Sequence, residues 1–476
     1  MPPLTLQAAR ELLSRHNQAH VLAFFDQLDE AGKQRLLSQL SAINWDRIDR
    51  WIDEYVTGCP DPGIPEGLQP APYFPLIPET DKDRRVYDQA RKRGVELLTA
   101  GKVAAFTVAG GQGTRLGYDA PKGTYPISPV KGKSLFQLFS ESIFRAGEKY
   151  GHSILWVIMT SPMNDADTRA FFKHNRFFGL DPADIIFCPQ GTMPAFDMGG
   201  KLILSARDSL ALSPNGHGGS LLTLRDSGAL SRMAEEGIEH ITYFQVDNPL
   251  VQPFDPLFLG LHDQLDSDMS CRSLTKTGPF EKLGNFCVHD THTVVIEYSD
   301  MPDDLATLRN ERGGLAFRAG SPAIHVLKRS FVERLTADGS LALPFHRAEK
   351  KIPHLSLDGE SVITPETANG IKLEMFIFDA LPLARNVLIL EADRAESFGP
   401  VKNPTGVDSV ESCRDLLVRR DVRWLAAAGI QAPLTADGAP DCLVELSPAS
   451  FLDPEDVAAR ADELTPPARG EEAYFA

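Results

Sequence analysis

The chain has 476 residues, 42% of them hydrophobic, and carries a formal net charge of −17 at pH 7. This length and apolar content allow roughly three structural units, each with its own core. The acidic balance argues against a protein that binds nucleic acid over a broad surface, because such surfaces need clustered Lys and Arg. A small nucleotide needs only a few local donors and is not excluded.

The six cysteines are scattered, and none has C-x-x-C spacing. This pattern is typical of a reduced, intracellular protein rather than of a disulfide scaffold. The N-terminal segment lacks the apolar core of a signal peptide, and the most apolar run, Ile154–Met159, is too short to span a bilayer. We therefore expect a cytoplasmic monomer or weak homo-oligomer, with neither membrane nor nucleic acid among its partners.

Residues 1–56 carry apolar side chains at helical spacing, between Val21 and Leu28 and again between Leu36 and Ile43. The spacing predicts amphipathic helices that cap a larger body. The following residues are rich in proline, which excludes a regular helix. We expect an N-terminal helical cap and an extended linker over residues 1–85.

Short apolar runs then alternate with helical patterns over residues 86–405, which predicts an α/β core with a mainly parallel sheet. The predicted strands lie within 102–111, 153–160, 184–191 and 240–248. The predicted helices are Asp81–Ala100, Ser134–Tyr150 and Asp165–Phe178. Between about 270 and 330 the pattern favours antiparallel strands. Residues 406–476, with one clear helix at Val410–Gly429, predict a small C-terminal domain.

A glycine-rich loop, Ala109–Gly117, follows the first of these strands, and Pro121-Lys122-Gly123 comes soon after it. Glycines let a backbone approach a phosphate closely and direct several N–H groups at it. Arg115 and Lys122 add two cations, the first able to fork onto phosphate oxygens and the second a point charge. The loop therefore predicts a phosphate-binding site.

Two common phosphate motifs do not fit this part of the chain. A dinucleotide fingerprint would need glycine where Leu116 stands and an acidic residue where Lys131 stands. The ending Gly132-Lys133-Ser134 matches a Walker A motif, but Ile127 occupies the position of its first glycine. We therefore interpret Lys133 as a surface turn residue.

Residues 108–127 read VAGGQGTRLGYDAPKGTYPI. This run resembles the signature of the eukaryotic-type UDP-sugar pyrophosphorylases, and most closely the branch that makes UDP-N-acetylglucosamine. Further segments that resemble this family are PQGTMPA (189–195), QVDNPLV (245–251), EKLGNFCVHD (281–290), VIEYSD (295–300), NGIKLEMFIFDA (369–380) and FGPVKN (398–403). The likeness also includes the N-terminal helices, so it extends over most of the chain.

The resemblance implies a Rossmann-like nucleotidyltransferase core that transfers a uridylyl group from UTP to a sugar 1-phosphate, with Mg²⁺ as cofactor. The resemblance implies that Gly110, Gly111, Gly113 and Thr114 hold UTP by backbone contacts, that Gln190 and Gly216 meet the uracil, and that Asp247 binds the Mg²⁺. On the sugar side, the resemblance implies that Gly284, Glu297 and the neighbouring strands cradle the sugar and that Lys372 lines the sugar-phosphate side. On the transfer side, it implies Arg115 at the leaving pyrophosphate, and Lys122 and Lys402 at the α-phosphate.

Two positions depart from the N-acetylglucosamine pattern. His217 stands where those enzymes have asparagine, and PNGHGG here is closer to the P-x-G-H-G of UDP-glucose pyrophosphorylases. Ser321 replaces the first asparagine of the family's G-N-I-A-N-H segment. Both lie on the implied sugar side, so N-acetylglucosamine 1-phosphate, glucose 1-phosphate and a broad substrate range all stay open.

Simpler interpretations exist for several of these residues. Asp247 could be a turn former before Asn248-Pro249, Glu297 a solvated strand residue, and Lys402 an ordinary loop lysine. His289 and His292 have a metal-like spacing that is more typical of a surface pair in a hairpin. The D-x-D pattern of residues 266–268 follows no predicted strand and favours a solvated helix end.

Two other functional classes are compatible with the same α/β design. A UDP-sugar-dependent glycosyltransferase would carry a D-x-D at a strand end and would lack the Arg115 and Lys122 pair. A non-catalytic sensor of nucleotide sugars would be expected to have lost Lys122, Asp247 or Lys402, and all three are present.

Overall fold

The computed structural model describes residues 4–58, 63–337, 339, 341 and 343–476. Cys59 and two prolines of the proline-rich stretch, Pro60 and Pro62, lie outside the described residues. The chain divides into two compact units. The small unit comprises Met1–Gly63, Gln190–Ser220 and Ala342–Asp379, and the large unit comprises Ile64–Pro189, Leu221–Leu341 and Ala380–Ala476.

The α-helices are numbered in chain order. They are α1 Leu6–Arg15, α2 Glu30–Ser41, α3 Trp45–Trp51, α4 Asp81–Thr99, α5 Leu135–Tyr150, α6 Asp165–His174, α7 Ser220–Asp226, α8 Ala229–Glu235, α9 Pro256–Gln264, α10 Asp303–Thr307, α11 Arg329–Thr336, α12 Arg394–Ser397, α13 Val410–Ala427 and α14 Pro454–Ala459.

The β-strands are numbered in the same way. They are β1 Gln69–Pro70, β2 Val103–Val108, β3 Trp156–Thr160, β4 Ile185–Pro189, β5 Thr192–Pro194, β6 Phe196–Asp197, β7 Leu204–Ala206, β8 Ser209–Leu210, β9 Leu212–Pro214, β10 His240–Gln245, β11 Met269–Thr275, β12 Gly284–His289, β13 His292–Ile296, β14 Ala319–Ser321, β15 His325–Lys328, β16 His346–Lys350, β17 His354–Leu355, β18 Val362–Ile363, β19 Gly370–Glu374, β20 Val387–Glu391, β21 Leu443–Leu446 and β22 Glu472–Phe475.

Helices α1 to α3 build much of the small unit. The apolar stripe that starts at Leu36 lies mainly in α2, as predicted. The stripe from Val21 to Leu28 lies instead in two 3₁₀ turns, Ala19–Leu22 and Phe25–Gln27, so the helix expected there was wrong. Thr5 caps α1 and Asp29 caps α2, each side chain accepting a backbone N–H of the first turn. The buried faces of these helices share one apolar cluster with strands β6 and β19 of the three-stranded sheet β16-β19-β6. The predicted cap is therefore integrated with two segments much later in the chain.

The large unit is built on one sheet with the strand order β1-β12-β14-β11-β15-β10-β2-β3-β4, with β13 on β12 and β20 on β11. Strands β2, β3, β4 and β10 are mutually parallel, and β11, β12 and β20 run in their direction. Strands β1, β13, β14 and β15 run the opposite way. The mixed α/β architecture with a mostly parallel sheet confirms the predicted fold class, and the antiparallel part falls between 270 and 330 as expected.

Strand β2 explains why the parallel part of the sheet lies inside the unit. Its residues Val103–Phe106 are almost completely buried, as are all residues of β3. A strand covered on both faces needs a continuous apolar run, and that is how the sequence of β2 reads. Helices α4, α5 and α9 contribute buried apolar side chains to the same core.

The predicted helix at Asp165–Phe178 ends early, at His174. Phe177 and Phe178 have φ values of 53° and 54°, in the left-handed region that helices of L residues avoid. Both rings pack against the apolar core instead of continuing the helix. Tertiary packing thus overrides the local helical pattern here.

Two predictions about exposed charges were wrong. Lys133 is 6% exposed, and its Nζ donates to Glu141, Ser447 and Tyr474. Asp268 is fully buried and accepts hydrogen bonds from the guanidinium groups of two arginines, so it is not a solvated helix end. Apart from Glu141, the residues that satisfy these charges lie far along the chain, where no local pattern reveals them.

The hairpin prediction for the two histidines holds. His289 and His292 stand opposite each other across the β12–β13 turn. No group of three or more His, Cys, Asp or Glu side chains in the described part of the chain is arranged to hold a metal ion. No helix among the described residues has both the length and the apolar content needed to cross a membrane.

Candidate active site

The glycine loop begins where β2 ends at the carboxyl edge of the parallel strands. Its two arms pair with each other, because the Gly113 N–H donates to Ala120 O at 2.9 Å and the Lys122 N–H donates to Gly111 O at 3.1 Å. A Cβ on Gly113 would meet Tyr118 O at 2.8 Å, so this position requires glycine. The loop is therefore a closed, pre-formed turn.

The N–H groups at the start of this loop are unused. Those of Gly110, Gly111 and Gln112 donate to no acceptor within the described part of the chain. Above Gly111, the space that a Cβ would occupy is open. Successive free N–H groups around an open space form a concave site for an anion. The role of Gly110 and Gly111 in phosphate binding stays a prediction, and this geometry is compatible with it.

Thr114 and Arg115 belong to a 3₁₀ turn, Thr114–Leu116, that follows this loop. Both side chains are exposed. Among the described residues, none forms a hydrogen bond or ion pair with the Arg115 guanidinium. An uncompensated cation next to a row of free N–H groups increases the attraction for a polyanion.

Asn164 supports this loop and was not predicted from the sequence. Its side chain is completely buried, and its Nδ2 donates to Ala109 O at 3.0 Å and to Gly111 O at 3.2 Å. Its Oδ1 accepts the Ser161 N–H at 2.7 Å. The only sequence signal was its location just after β3, at the same edge of the sheet.

Lys122 and Asp247 form an ion pair at this edge. Lys122 Nζ donates to Asp247 Oδ2 at 3.1 Å, and both side chains are largely buried, 15% and 12% exposed. Asp247 follows β10, the strand next to β2. A simple turn former would need neither this burial nor a cationic partner. The structure thus brings together two of the residues predicted for catalysis and metal binding.

Lys402 lies in the loop after α12, and this loop is bonded to the same strand end. The Val401 N–H donates to Asp247 O at 2.8 Å, and the Lys402 N–H donates to Asp408 O at 2.7 Å. The Lys402 Nζ lies 5.7 Å from the centre of the Phe398 ring. Burial raises the pKa of Asp408, an effect that the charge of Lys402 opposes and that of Asp247 reinforces. Asp408 is therefore a second carboxylate of this charged centre that the sequence did not reveal.

Three residues predicted for the sugar lie close together where β12 and β14 pair. Gly284 stands opposite Ser321 in this pairing. A Cβ on Gly284 would lie 2.6 Å from Val295 Cγ1 and 3.4 Å from Glu297 Oε1, so the Glu297 carboxylate lies over the glycine. Glu297 is therefore half-buried above the β-sheet rather than a solvated strand residue.

The other predicted residues belong to the small unit. Gln190 is buried at the start of the Gln190–Ser220 segment of this unit. Gly216 lies in the PNGHGG loop of the same segment, with φ of 84°. A Cβ on Gly216 would meet Met375 O at 2.3 Å, which excludes any other residue at this position. The loop is bonded to the segment after β19, because the Met375 N–H donates to Asn215 O and the Gly218 N–H to Met375 O.

His217 is held in one orientation by its neighbours. Its ring stacks on Phe376, with centroids 5.1 Å apart and an interplanar angle of 11°. Its Nδ1 accepts the Ile377 N–H at 3.1 Å. Burial, aided by the nearby charge of His346, lowers the pKa of His217 to about 4. The ring is therefore neutral at pH 7, with its hydrogen on Nε2 as a donor.

Lys372 is the central residue of β19, opposite Ala348 of β16. It alternates with the buried residues Ile371 and Leu373, so its side chain lies on the other face of the strand. The structure thus places Lys372 in the small unit with Gln190, Gly216 and His217.

Known proteins are similar to this chain over most of its length. A family model described as UTP–glucose-1-phosphate uridylyltransferase matches residues 77–465. The human UDP-N-acetylhexosamine pyrophosphorylase-like protein 1 is 33% identical over 467 residues, covering 93% of this chain and 92% of the human protein. The UDP-N-acetylglucosamine diphosphorylase 2 of Arabidopsis thaliana is 33% identical over 463 residues, covering 93% of this chain and 89% of that protein.

Among solved structures, the UDP-N-acetylglucosamine pyrophosphorylase of Trypanosoma brucei superposes with a TM-score of 0.81. The two chains are 23% identical, and the match covers 96% of this chain and 95% of the other. At this identity the likeness establishes a shared fold. The family match over most of the sequence goes further, and the chain belongs to the UTP–glucose-1-phosphate uridylyltransferase family, the UDP-sugar pyrophosphorylases that its glycine loop resembles.

Proposed function

We propose that this chain is a UTP-dependent uridylyltransferase that forms a UDP-sugar and pyrophosphate from UTP and a sugar 1-phosphate, with N-acetylglucosamine 1-phosphate as the preferred acceptor. The observation that carries the proposal is the buried Lys122–Asp247 ion pair beside a glycine loop with unused N–H groups. The names of the relatives, which match this chain over 92% and 89% of their own lengths, support the same reaction.

The reaction joins a phosphate oxygen of the sugar 1-phosphate to the α-phosphorus of UTP and breaks the bond from that phosphorus to the pyrophosphate oxygen. The nucleophile is already anionic and needs no general base. The difficulty is the approach of two anions, so the protein must offset charge and align the reactants. Positioning and electrostatics dominate other phosphoryl transfers for the same reason.

The loop N–H groups and the three cations act on different parts of the substrates in this scheme. The free N–H groups of Gly110 and Gly111 bind the triphosphate, and the exposed Arg115 stabilises the departing pyrophosphate. Lys122 and Lys402 offset the charge that develops at the α-phosphorus. Asp247 holds the Lys122 ammonium in place, which keeps the lysine from folding onto the surface.

Asp247 is also the residue that would hold Mg²⁺. A buried carboxylate at a strand end offers the hard oxygen donors that this ion prefers, and Mg²⁺ commonly takes one or two carboxylates together with substrate phosphates. When bound, the ion would supply Lewis-acid stabilisation and a template for the phosphate oxygens.

Two residues of this chain, His217 and Ser321, bear on the choice of sugar. The neutral His217 presents an Nε2–H donor, and Ser321 presents a hydroxyl. Both groups can meet sugar hydroxyl or acetamido oxygens. Because both replace asparagines of the N-acetylglucosamine branch, a glucose-1-phosphate uridylyltransferase or a broad UDP-sugar pyrophosphorylase is the second candidate.

The experiment is pyrophosphate release from UTP with glucose, galactose, N-acetylglucosamine or N-acetylgalactosamine 1-phosphate, with and without Mg²⁺. We expect release that requires both sugar phosphate and Mg²⁺ and is fastest with N-acetylglucosamine 1-phosphate. If no sugar 1-phosphate causes pyrophosphate release, the proposed enzymatic activity is contradicted and a non-catalytic sensor of nucleotide sugars is favoured. Transfer from a finished UDP-sugar to an acceptor would favour a glycosyltransferase. The scattered, buried free cysteines support our further proposal that the protein works in the cytoplasm.

A further inference from the structure

Asn248 follows the metal-binding candidate Asp247 and has its side chain turned inward. It is 5% exposed. Its Nδ2 donates to Ser397 O at 2.8 Å, and its Oδ1 accepts the Gly399 N–H at 3.0 Å. The amide therefore joins the end of β10 to two alternate residues of the segment that leads to Lys402. A turn former would need no such contacts with a segment distant in sequence.

A third bond continues this attachment toward Lys402. The Val401 N–H donates to Asp247 O at 2.8 Å, one residue before the lysine. The segment also packs tightly here, since a Cβ on Gly399 would meet Leu250 Cδ1 at 2.6 Å. The segment that leads to Lys402 is thus held by the two residues that follow β10, Asp247 and Asn248, while the Lys402 N–H itself donates to Asp408 O.

We propose that Asn248 is a positioning residue that holds the Lys402 segment in register with Asp247, so that the lysine and the aspartate meet the same phosphate. The inference rests on the function proposed above. An amide suits this task because its NH₂ group donates and its oxygen accepts in the same plane. Aspartate at this position would keep the acceptor and lose the donor, and alanine would lose both.

The chain contains a matched amide that has no such neighbour. Gln18, in the small unit, is 1% exposed, and its Nε2 donates to Gly200 O while its Oε1 accepts the Leu202 N–H, each at 2.9 Å. It clamps residues i and i+2 of another segment in the same way as Asn248. Gln18→Ala therefore measures what the loss of a buried amide clamp costs in stability alone.

The first test uses amide hydrogen exchange, which does not depend on turnover. In Asn248→Ala we expect faster exchange at the amides of Gly399 and Val401, while the amides of α13 keep their protection. In Gln18→Ala the exchange at Gly399 and Val401 should match that of the wild type. If the Gly399 and Val401 amides exchange at the wild-type rate in Asn248→Ala, the proposal that Asn248 holds this segment is overturned.

The second test separates positioning from stability. Since small misplacements of a catalytic group are costly, we expect Asn248→Ala to lower kcat by about tenfold to a hundredfold, with the KM for UTP changed less than about threefold. Asn248→Asp should fall between alanine and the wild type. Gln18→Ala should lower the melting temperature comparably and leave kcat unchanged. If the loss of kcat in every variant, including Gln18→Ala, is proportional to the loss of melting temperature, the proposal is overturned.

The third test asks whether Asn248 acts through Lys402. In a Lys402→Ala background, Asn248→Ala should lower kcat by less than about twofold further, because coupled residues are not additive. Equal losses in both backgrounds would overturn the coupling. If Lys402→Ala alone keeps full turnover, the proposed catalytic role of Lys402 fails, and hydrogen exchange still decides whether the clamp exists.

Discussion

At the scale of single residues, the candidate site combines groups with opposite requirements. Asp247 and Lys122 are largely buried and compensate each other, whereas Arg115 is exposed and compensated by no described residue. A buried ion pair is fixed before substrate arrives. An exposed cation stays hydrated, and it loses part of its hydration only when an anion binds it. We infer that Arg115 contributes mainly when charge moves to the leaving group.

We predict that Arg115→Ala lowers turnover about a hundredfold, equivalent to roughly 3 kcal/mol of transition-state stabilisation. Binding of the product UDP-sugar should change little, since that product lacks the leaving pyrophosphate. Steady-state kinetics and equilibrium dialysis measure the two effects. The control is Arg312→Ala, which removes an exposed arginine elsewhere in the large unit. Unchanged turnover in purified Arg115→Ala would refute the role of Arg115.

His217 should make folding stability depend on pH. Burial lowers its folded pKa to about 4, and its unfolded value is about 6.5. Between these values the unfolded chain binds more protons, so the stabilisation from the neutral ring is complete above about pH 6.5 and is lost as pH falls toward 4. We predict that the stability difference between wild type and His217→Asn shrinks from pH 7 to pH 5 in urea unfolding. Between pH 7.5 and pH 8.5 it should stay constant, and a constant difference down to pH 5 would contradict the prediction.

At the scale of elements, buried polar groups connect the C-terminal segment to the rest of the large unit. Lys133 lies just before α5, and its Nζ donates to Ser447 and to Tyr474. Ser447 directly follows β21, and Tyr474 lies within β22. Glu445 of β21 accepts the N–H groups of Val130 and Lys131 at 2.8 Å each. These contacts explain why a sequence resembling a Walker ending has a structural role here.

We predict that Lys133→Ala lowers the free energy of unfolding by about 3–5 kcal/mol, because it leaves the buried carboxylates of Glu141 and Glu445 without their cation. Chemical unfolding of the purified protein measures the loss. Lys131→Ala is the matched control, since it keeps the backbone N–H that Glu445 accepts and removes an exposed side chain that lies over the Tyr474 ring, which should contribute less than about 1 kcal/mol. Equal losses in both variants would show that burial of Lys133 is not the cause.

At the scale of the whole molecule, each unit is assembled from segments that are distant in the chain. The small unit takes its loop residues Gly216 and His217 from one inner segment and Lys372 from another. The large unit supplies the glycine loop and Ser321. The two departures from the N-acetylglucosamine pattern therefore belong to different units, and their effects can be measured separately.

We predict that His217→Asn combined with Ser321→Asn raises the preference for N-acetylglucosamine 1-phosphate over glucose 1-phosphate. Two restored hydrogen-bond partners, each contributing about 1 kcal/mol, should change the ratio of kcat/KM values by about tenfold or more. The control carries the same exchanges at exposed positions, His292→Asn and Ser38→Asn. If the ratio is unchanged in the first pair, those two positions do not select the sugar.

The sequence by itself determined the α/β class, the strand before the glycine loop and the family, because strand and helix periodicity and a long ordered motif are local properties. It also indicated Lys122 and Asp247 separately. Only the tertiary structure decided that these two form a buried pair, that Lys133 and Asp268 are buried, and that Asn164 and Asn248 hold the loops around them. Whether these residues are buried, and which groups they bond, depends on contacts between segments that are distant in the chain. Residues close to them in the sequence do not determine those contacts.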